Sequence, residues 1–177
     1  MRPALALLGV LLCGSVDMVA AQRPQTREGA SFHIGLGAGS LGCDDCDGRT
    51  NGLSGGLALA RAVNQNIVLG LATAGWTKTE QGVTLTAGVF TAAIRLYPSA
   101  SGGFFLLGGL GFGSIKGEIS GFGNETNSGT GAILGLGYDI RIGDNVSLTP
   151  FLNGVGIATT DGGNANFNQI GLGITTH

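Results

Sequence analysis

The amino-acid sequence predicts an all-β fold, an eight-stranded antiparallel up-and-down transmembrane β-barrel. Composition is the first of three observations that predict it. Glycine supplies 35 of the 177 residues and charged residues only 11%, whereas soluble domains have about 7% glycine and about 25% charged residues. Interior glycine destabilises helices, and so few charges cannot cover a water-facing surface in the usual mixed-charge way.

The second observation is a period-two alternation of bulky apolar residues with small ones, which is typical of strands with two different faces. It is clearest in the sixth segment, where Leu134 and Leu136 alternate with Gly135 and Gly137. Segments of about ten residues suffice to cross a membrane as tilted strands. The predicted strands are 31–41, 53–63, 67–77, 83–97, 104–116, 132–141, 146–157 and 169–177.

The third observation is that long and short connections alternate, as they do in transmembrane barrels of the outer-membrane kind. An even number of strands places both chain ends at the short-turn end of the barrel, opposite the long-loop end. The predicted long connections are 42–52, 78–82, 117–130 and 158–168, and the short ones are 64–66, 98–103 and 143–145.

The alternation also predicts which row of each strand faces lipid. An eight-stranded barrel has an interior barely wide enough for side chains, so the glycine-rich row is expected inside and the bulky aliphatic row outside. A soluble barrel would reverse the two rows. Aromatic girdles are expected where the strands leave the membrane, and the candidate girdle residues are Trp76, Phe90, Tyr97, Phe104 and Tyr138.

The first 21 residues read as a cleaved signal peptide. Their apolar run, Leu5 to Cys13, is too short to span a bilayer, and small residues precede the expected cleavage before Gln22. The expected organisation is therefore a signal peptide over 1–21, a polar arm over 22–29 and a barrel domain over 30–177.

Two cysteines remain after the expected cleavage, Cys43 and Cys46 in the segment GCDDCDG. In an exported chain such a pair predicts a disulfide. Two alternatives stay open: a cation site that uses the carboxylates of Asp44, Asp45 and Asp47, or free thiols.

Arg95, Asp139 and Arg141 fall on the predicted inner row near the short-turn end. Because buried charges persist only when they are paired, they are expected to form an ionic cluster that plugs the lumen. The alternative is that one of the arginines reaches out to solvent. Ser31 and His33 share the glycine face of the first strand and are expected to be interior polar residues. A catalytic role is not expected, since no carboxylate stands at a matching spacing.

Residues 30–177 resemble the small eight-stranded outer-membrane barrels of the OmpA and OmpX type. The resemblance rests on the strand pattern, on the segment GLGYDIRIGDNVSLTPF and on the final strand NQIGLGITTH. It implies a place in the bacterial outer membrane, contact with outer-membrane lipid, and insertion by the outer-membrane assembly machinery. Members of that family usually end in an aromatic residue, and His177 departs from this pattern.

No enzymatic activity, cofactor or metal is expected. The 9 basic and 11 acidic residues give a net charge of -2, which disfavours a nucleic-acid partner. The expected function is a non-enzymatic barrel that supports the envelope or presents loops 42–52, 117–130 and 158–168 to external partners. The alternatives are a narrow pore for small molecules and, more weakly, a soluble secreted lipocalin-like barrel.

Overall fold

The computed structural model describes residues 27–44, 48–119 and 123–177, which form a closed antiparallel β-barrel of eight strands. The sixth strand of the wall is interrupted at Asp139, so its two parts are numbered β6 and β7. Within the described residues, no helix is long and apolar enough to cross a membrane. The elements are β1 Ala30–Cys43, β2 Thr50–Asn64, β3 Ile67–Glu80, β4 Val83–Leu96, β5 Phe104–Ile119, β6 Gly123–Tyr138, β7 Ile140–Arg141, β8 Val146–Thr159 and β9 Asn164–Thr176.

The barrel closes between its first and last strands. β1 pairs with β9 from Phe32↔Thr176 to Cys43↔Ala165, in addition to its pairing with β2. The gap left by the short β7 is closed because β6 pairs directly with β8. Every strand of the wall therefore has two neighbours, and a closed sheet can satisfy its backbone hydrogen bonds without water.

The two rows of each strand face the way the alternation predicts. Leu110, Phe112 and Leu134 are 70–76% exposed on the outer surface, whereas the inward residues Ala87 and Thr91 are 0% exposed. An apolar surface this continuous would be an aggregation hazard in water. It is the surface that a bilayer requires, so the prediction about the lipid-facing row is confirmed.

The strands extend further toward the long-loop end than the sequence alternation predicts. The expected connection 117–130 is mostly strand, because β5 continues to Ile119 and β6 begins at Gly123. Likewise β9 begins at Asn164, within the expected connection 158–168. These extensions carry polar residues, so they lack the alternation in hydrophobicity on which the prediction depends. The signal that remains is their threonine content, because threonine favours strands.

The expected connection 78–82 shortens in the same way to a two-residue turn, Gln81-Gly82. These residues have φ of 49° and 80°. Positive φ at both central positions is what a tight turn between twisted antiparallel strands requires, and glycine adopts it without steric cost.

Two of the five expected girdle aromatics are inside the barrel, which corrects that prediction. Trp76 is 1% and Tyr97 2% exposed, whereas Phe90 and Phe104 face outward. The Trp76 indole Nε1 donates a hydrogen bond to the carbonyl of Gly39 at 3.1 Å. Trp76 fits because its neighbour Gly39 has no side chain: a Cβ built there would lie 2.7 Å from the indole ring.

The expected signal peptide 1–21 and Cys46 lie outside the described residues. Cleavage of the signal peptide and pairing of Cys43 with Cys46 therefore stay predictions.

A glycine at the closing seam gives the first test of this fold. A Cβ on Gly37 would overlap the carbonyl oxygen of Ile170 and lie 2.6 Å from the Cα of Gly171. Gly37→Ala should therefore destabilise the barrel by about 1–3 kcal/mol, the usual cost of overpacking. The measurement is the urea midpoint of unfolding in detergent micelles.

The matched control is Gly108→Ala. A Cβ on this outward-facing glycine has its nearest neighbours at 3.8 Å, so the midpoint should stay unchanged. Equal midpoints for the two variants would contradict the seam geometry.

Candidate functional site

The half of the interior nearer the long-loop end is filled by apolar side chains. Phe167 is 0%, Trp76 1%, Ile157 2% and Val155 3% exposed, and they pack together in one cluster. Trp76 comes from β3 and the other three from the paired strands β8 and β9, so β3 meets this pair across the barrel axis. This cluster, called the apolar plug below, fills the lumen of an eight-stranded barrel, so no wide water-filled channel runs through this half.

In the half nearer the short-turn end, polar groups centred on Asp139 lie beside a small apolar cluster of Val68, Tyr97 and Phe105. The Asp139 carboxylate is 0% exposed. Its Oδ2 accepts a hydrogen bond from the Tyr97 hydroxyl at 2.8 Å, and its Oδ1 accepts one from Thr149 Oγ1 at 2.7 Å. The Nε2 of His177 lies 3.6 Å from Oδ2. The break between β6 and β7 falls at this residue.

A chain of hydrogen bonds joins this carboxylate to the first strand. Thr149 Oγ1 lies 2.8 Å from Thr175 Oγ1, which in turn lies 2.8 Å from His33 Nδ1. The His33 ring also meets the Phe151 ring edge-on at 5.8 Å. The hydrogen-bond partner of His33 is therefore Thr175, and Ser31 is half-buried on the same inward row. His33 fits an interior polar residue in a connected network.

Arg27 closes the short-turn end, although it precedes the first strand. Its guanidinium donates hydrogen bonds to the carbonyls of Gln65 at 3.1 Å and Ala100 at 3.2 Å, and to that of Gly102. Its ζ carbon lies 3.4 Å from the centre of the Tyr97 ring, a cation–π contact. At 2% exposed, Arg27 ties the arm to two short turns and covers the interior.

Burial keeps this end of the network in one charge state. Desolvation lowers the pKa of Arg27, but a guanidinium stays protonated in proteins. Burial, with the Asp139 carboxylate adding to it, raises the pKa of the Tyr97 hydroxyl to about 12. Tyr97 therefore remains a neutral donor to Asp139 at physiological pH.

The structure places the three residues of the expected ionic cluster at the same end of the barrel. Arg95 is 7% and Asp139 0% exposed. Arg141 is half-buried in β7, and its guanidinium donates a hydrogen bond to the carbonyl of Asp144. Within the described residues, the Arg95 guanidinium contacts the Phe105 ring and forms no ion pair with Asp139, which corrects the expected three-residue cluster; pairing of Asp139 with Arg141 stays a prediction.

Sequence reasoning missed Arg27, Tyr97, Thr149 and Thr175 as members of this network. Thr149 and Thr175 carry no charge that would distinguish them in the sequence from other strand threonines. The signal for Arg27 is its position: it is a cation just before β1, at the end of the barrel where Asp139 is expected.

The cysteine loop is described only in part. Cys43 ends β1, and the carboxylate of the next residue, Asp44, accepts a hydrogen bond from Asn164 Nδ2 at 2.8 Å. Residues 45–47, including Cys46, lie outside the described part of the chain. The disulfide and the alternative cation site both stay predictions.

A four-stranded sheet projects from the barrel wall at the long-loop end. The uppermost pairs of β3, β4, β5 and β6 are Glu80↔Val83, Val83↔Ile119 and Ile119↔Gly123. The pairing of β6 with β8 begins only at Gly129↔Thr159. Among the described residues, no strand pairs with the first five residues of β6 on the side away from β5.

The projecting sheet carries a polar surface. Lys78 forms an ion pair with Glu80 at 2.7 Å and Lys116 one with Glu118 at 3.0 Å. The Lys116 pair is exposed and the Lys78 pair is partly exposed. Threonine hydroxyls also bond in pairs across β3 and β4, Thr77 with Thr86 and Thr79 with Thr84. Such groups would be costly in hydrocarbon, so this sheet lies in water beyond the membrane.

Comparison with known proteins gives a family and a fold. The family model described as "Outer membrane protein beta-barrel domain" matches residues 6–177. No curated protein matches the sequence.

Solved structures of small barrels are similar to this one in fold. The attachment invasion locus protein Ail of Yersinia pestis is 17% identical with a TM-score of 0.64, over 84% of this chain and 99% of Ail. Neisserial surface protein A is 14% identical with a TM-score of 0.65, over 86% and 99%. OprG from Pseudomonas aeruginosa is 14% identical with a TM-score of 0.50, over 88% and 100%.

Removal of the central carboxylate tests the polar network. Asp139→Ala leaves the Tyr97 and Thr149 hydroxyls without their acceptor and removes a negative charge beside buried Arg27. Breaking a buried charged network in this way costs about 3–5 kcal/mol, so the urea midpoint in micelles should fall steeply.

Asp161→Ala is the matched control, because Asp161 is exposed in the turn between β8 and β9 and should change stability by less than about 0.5 kcal/mol. If Asp139→Ala is as stable as this control, Asp139 does not organise the interior.

Proposed function

Because this chain belongs to the outer membrane protein β-barrel domain family, we propose that it is a non-enzymatic barrel that presents its projecting sheet to partners outside the cell. The chain lies in the bacterial outer membrane. The projecting sheet is at the end opposite the short turns, which is the external end in such barrels. Contact with lipid and insertion by the assembly machinery belong to the same proposal.

The observation that carries this proposal is the open edge of β6. Thr160 N donates to the carbonyl of Ser128, so Ser128 directs its backbone groups away from β5. Because every second residue of a strand repeats this direction, Asn124 and Thr126 also direct their N–H and C=O groups to the open side. An unpaired strand edge is a template on which an extended segment of another protein can pair.

The composition of the edge supports the same function. Natural proteins protect exposed edges with lysine, proline or a bulge. The edge segment Gly123–Asn127 contains one charged residue, Glu125, but neither lysine nor proline, and it pairs with β5 without a register shift. Its polar side chains keep it soluble while its backbone remains able to pair.

A structural neighbour offers a second support. Ail has also been solved in complex with the heparin analogue sucrose octasulfate, and that structure has a TM-score of 0.58 to this chain at 17% identity. Binding of an external ligand is thus compatible with a barrel of this shape. In this chain the two lysines and two glutamates of the projecting ion pairs balance, which favours a protein strand over a polyanion.

Of the two alternative functions, the soluble barrel and the narrow pore, the first is wrong and the second is disfavoured. A soluble lipocalin-like barrel is wrong, because the bulky aliphatic row faces outward and the chain belongs to a membrane family. A narrow pore is disfavoured by the apolar plug and by Arg27, which cover the interior at both ends. We therefore place function on the outside of the cell rather than in the lumen.

Proline at the open edge tests strand pairing. The probes are phage-displayed ten-residue peptides selected for binding to the native protein in proteoliposomes. Thr126→Pro removes an N–H from the open side, so proteoliposomes of this variant should retain at least tenfold fewer of these phage. Thr126→Val is the control and should retain them, because it changes the side chain and keeps the backbone donor. Equal retention by the proline variant would contradict the proposal.

Planar-bilayer recording tests the closed lumen. The intact protein, inserted in its folded form, should give no lasting large conductance, because the apolar plug and the polar end fill the interior. Insertion is checked on the same sample by the shift in gel mobility between folded and heated protein. A stable large conductance would favour the pore instead.

A further inference from the structure

A small cavity lies inside the barrel between the apolar plug and the polar end. Its volume is about 30 Å³, and its polar lining comes from His33, Thr73, Arg95, Asn153 and Gln169. Asn153 and Gln169 are direct neighbours across β8 and β9, whereas Arg95 reaches in from β4. The cavity is thus bounded by a cation on one wall and two carboxamides on another.

Arg95 is a buried cation without a carboxylate of its own. Its side chain is 7% exposed, and its ζ carbon lies 5.0 Å from the centre of the Phe105 ring. Within the described residues, no hydrogen bond or ion pair to the Arg95 guanidinium is found. The interior carboxylate of Asp139 already accepts from Tyr97 and Thr149. A buried guanidinium in this position needs negative charge beside it.

The carboxamides present unused hydrogen-bonding groups to the same space. Gln169 is 1% exposed, and neither its Nε2 nor its Oε1 has a hydrogen-bond partner. The Oδ1 of Asn153 is likewise buried without a partner. Fully buried polar atoms are nearly always bonded in native proteins, to protein, water or an ion, so these groups indicate a water or an ion in the cavity. Because a carboxamide can be turned about its last bond, each can offer its NH₂ to an anion.

We propose that this cavity binds one small monovalent anion, of the size of chloride, between the Arg95 guanidinium and the carboxamides of Gln169 and Asn153. A volume of about 30 Å³ exceeds the ~10–15 Å³ that one water needs and excludes sulfate or phosphate.

The bound anion ties opposite walls of the barrel together. β4 and the β8–β9 pair do not touch as neighbouring strands, so contacts between them run through the interior. An ion held by Arg95 on one side and by Gln169 and Asn153 on the other bridges this gap. The anion then stabilises the folded barrel, because it binds the folded state and not the unfolded chain.

Refolding in bromide tests the site directly. The protein purified from membranes is unfolded in urea, refolded in micelles in sodium bromide so that the ion is enclosed as the barrel closes, and crystallised. We expect an anomalous bromide peak within hydrogen-bonding distance of the Arg95 guanidinium. Water density there without anomalous signal, in crystals whose surface shows bromide, overturns the proposal.

Thermal unfolding in two salts provides an independent readout. In sodium chloride the native protein should unfold a few degrees higher than in sodium gluconate of equal ionic strength. Gln169→Leu and Arg95→Met should both abolish this difference in unfolding temperature. Gln169→Leu removes no charge, so it still tests the site if the arginine variant does not fold. Arg61→Met, at an exposed arginine of β2, should retain it. Equal unfolding temperatures of the native protein in both salts contradict an anion site.

Discussion

The need to pair every backbone amide in hydrocarbon determines this structure, and the seam between β1 and β9 is where that need is met. An open sheet edge in the membrane would leave a row of N–H and C=O groups without partners. Closure with eight strands gives a narrow interior, so the seam is lined by glycines such as Gly37 and Gly171. The same closure turns the bulky row of each strand toward lipid, and the unusual composition of the chain follows from it.

The interior divides into two halves that close the lumen by different means. At the long-loop end, large apolar side chains such as Trp76 and Phe167 fill the space left by facing glycines. At the short-turn end, Asp139 gathers hydroxyl donors, and Arg27 covers them from the arm. A buried carboxylate is costly unless hydrogen bonds satisfy it, which explains why hydroxyl donors surround Asp139 at this end. The function we propose therefore belongs to the water-exposed sheet.

The sequence predicted the barrel and its lipid-facing row because one physical rule, alternation between oil and a crowded interior, acts on every strand. It predicted less well wherever that rule ceases to act. Beyond the membrane both faces of a strand meet water, so the extensions of β5 and β6 appeared to be a loop. Trp76 was assigned to the surface, because the type of an aromatic residue does not reveal its row. Arg27 lies outside any strand, and its role depends on turns that are distant in sequence.

A cross-link at the seam tests the central claim most directly. Ala38 and Ile170 are paired across β1 and β9 and both face outward, a separation that suits a disulfide. In a Cys43→Ser, Cys46→Ser background, the Ala38→Cys, Ile170→Cys protein should oxidise to a disulfide in native membranes, seen as a changed mobility of the heated chain that reductant reverses. Free thiols at both positions in folded, membrane-inserted protein would show that the first and last strands do not meet.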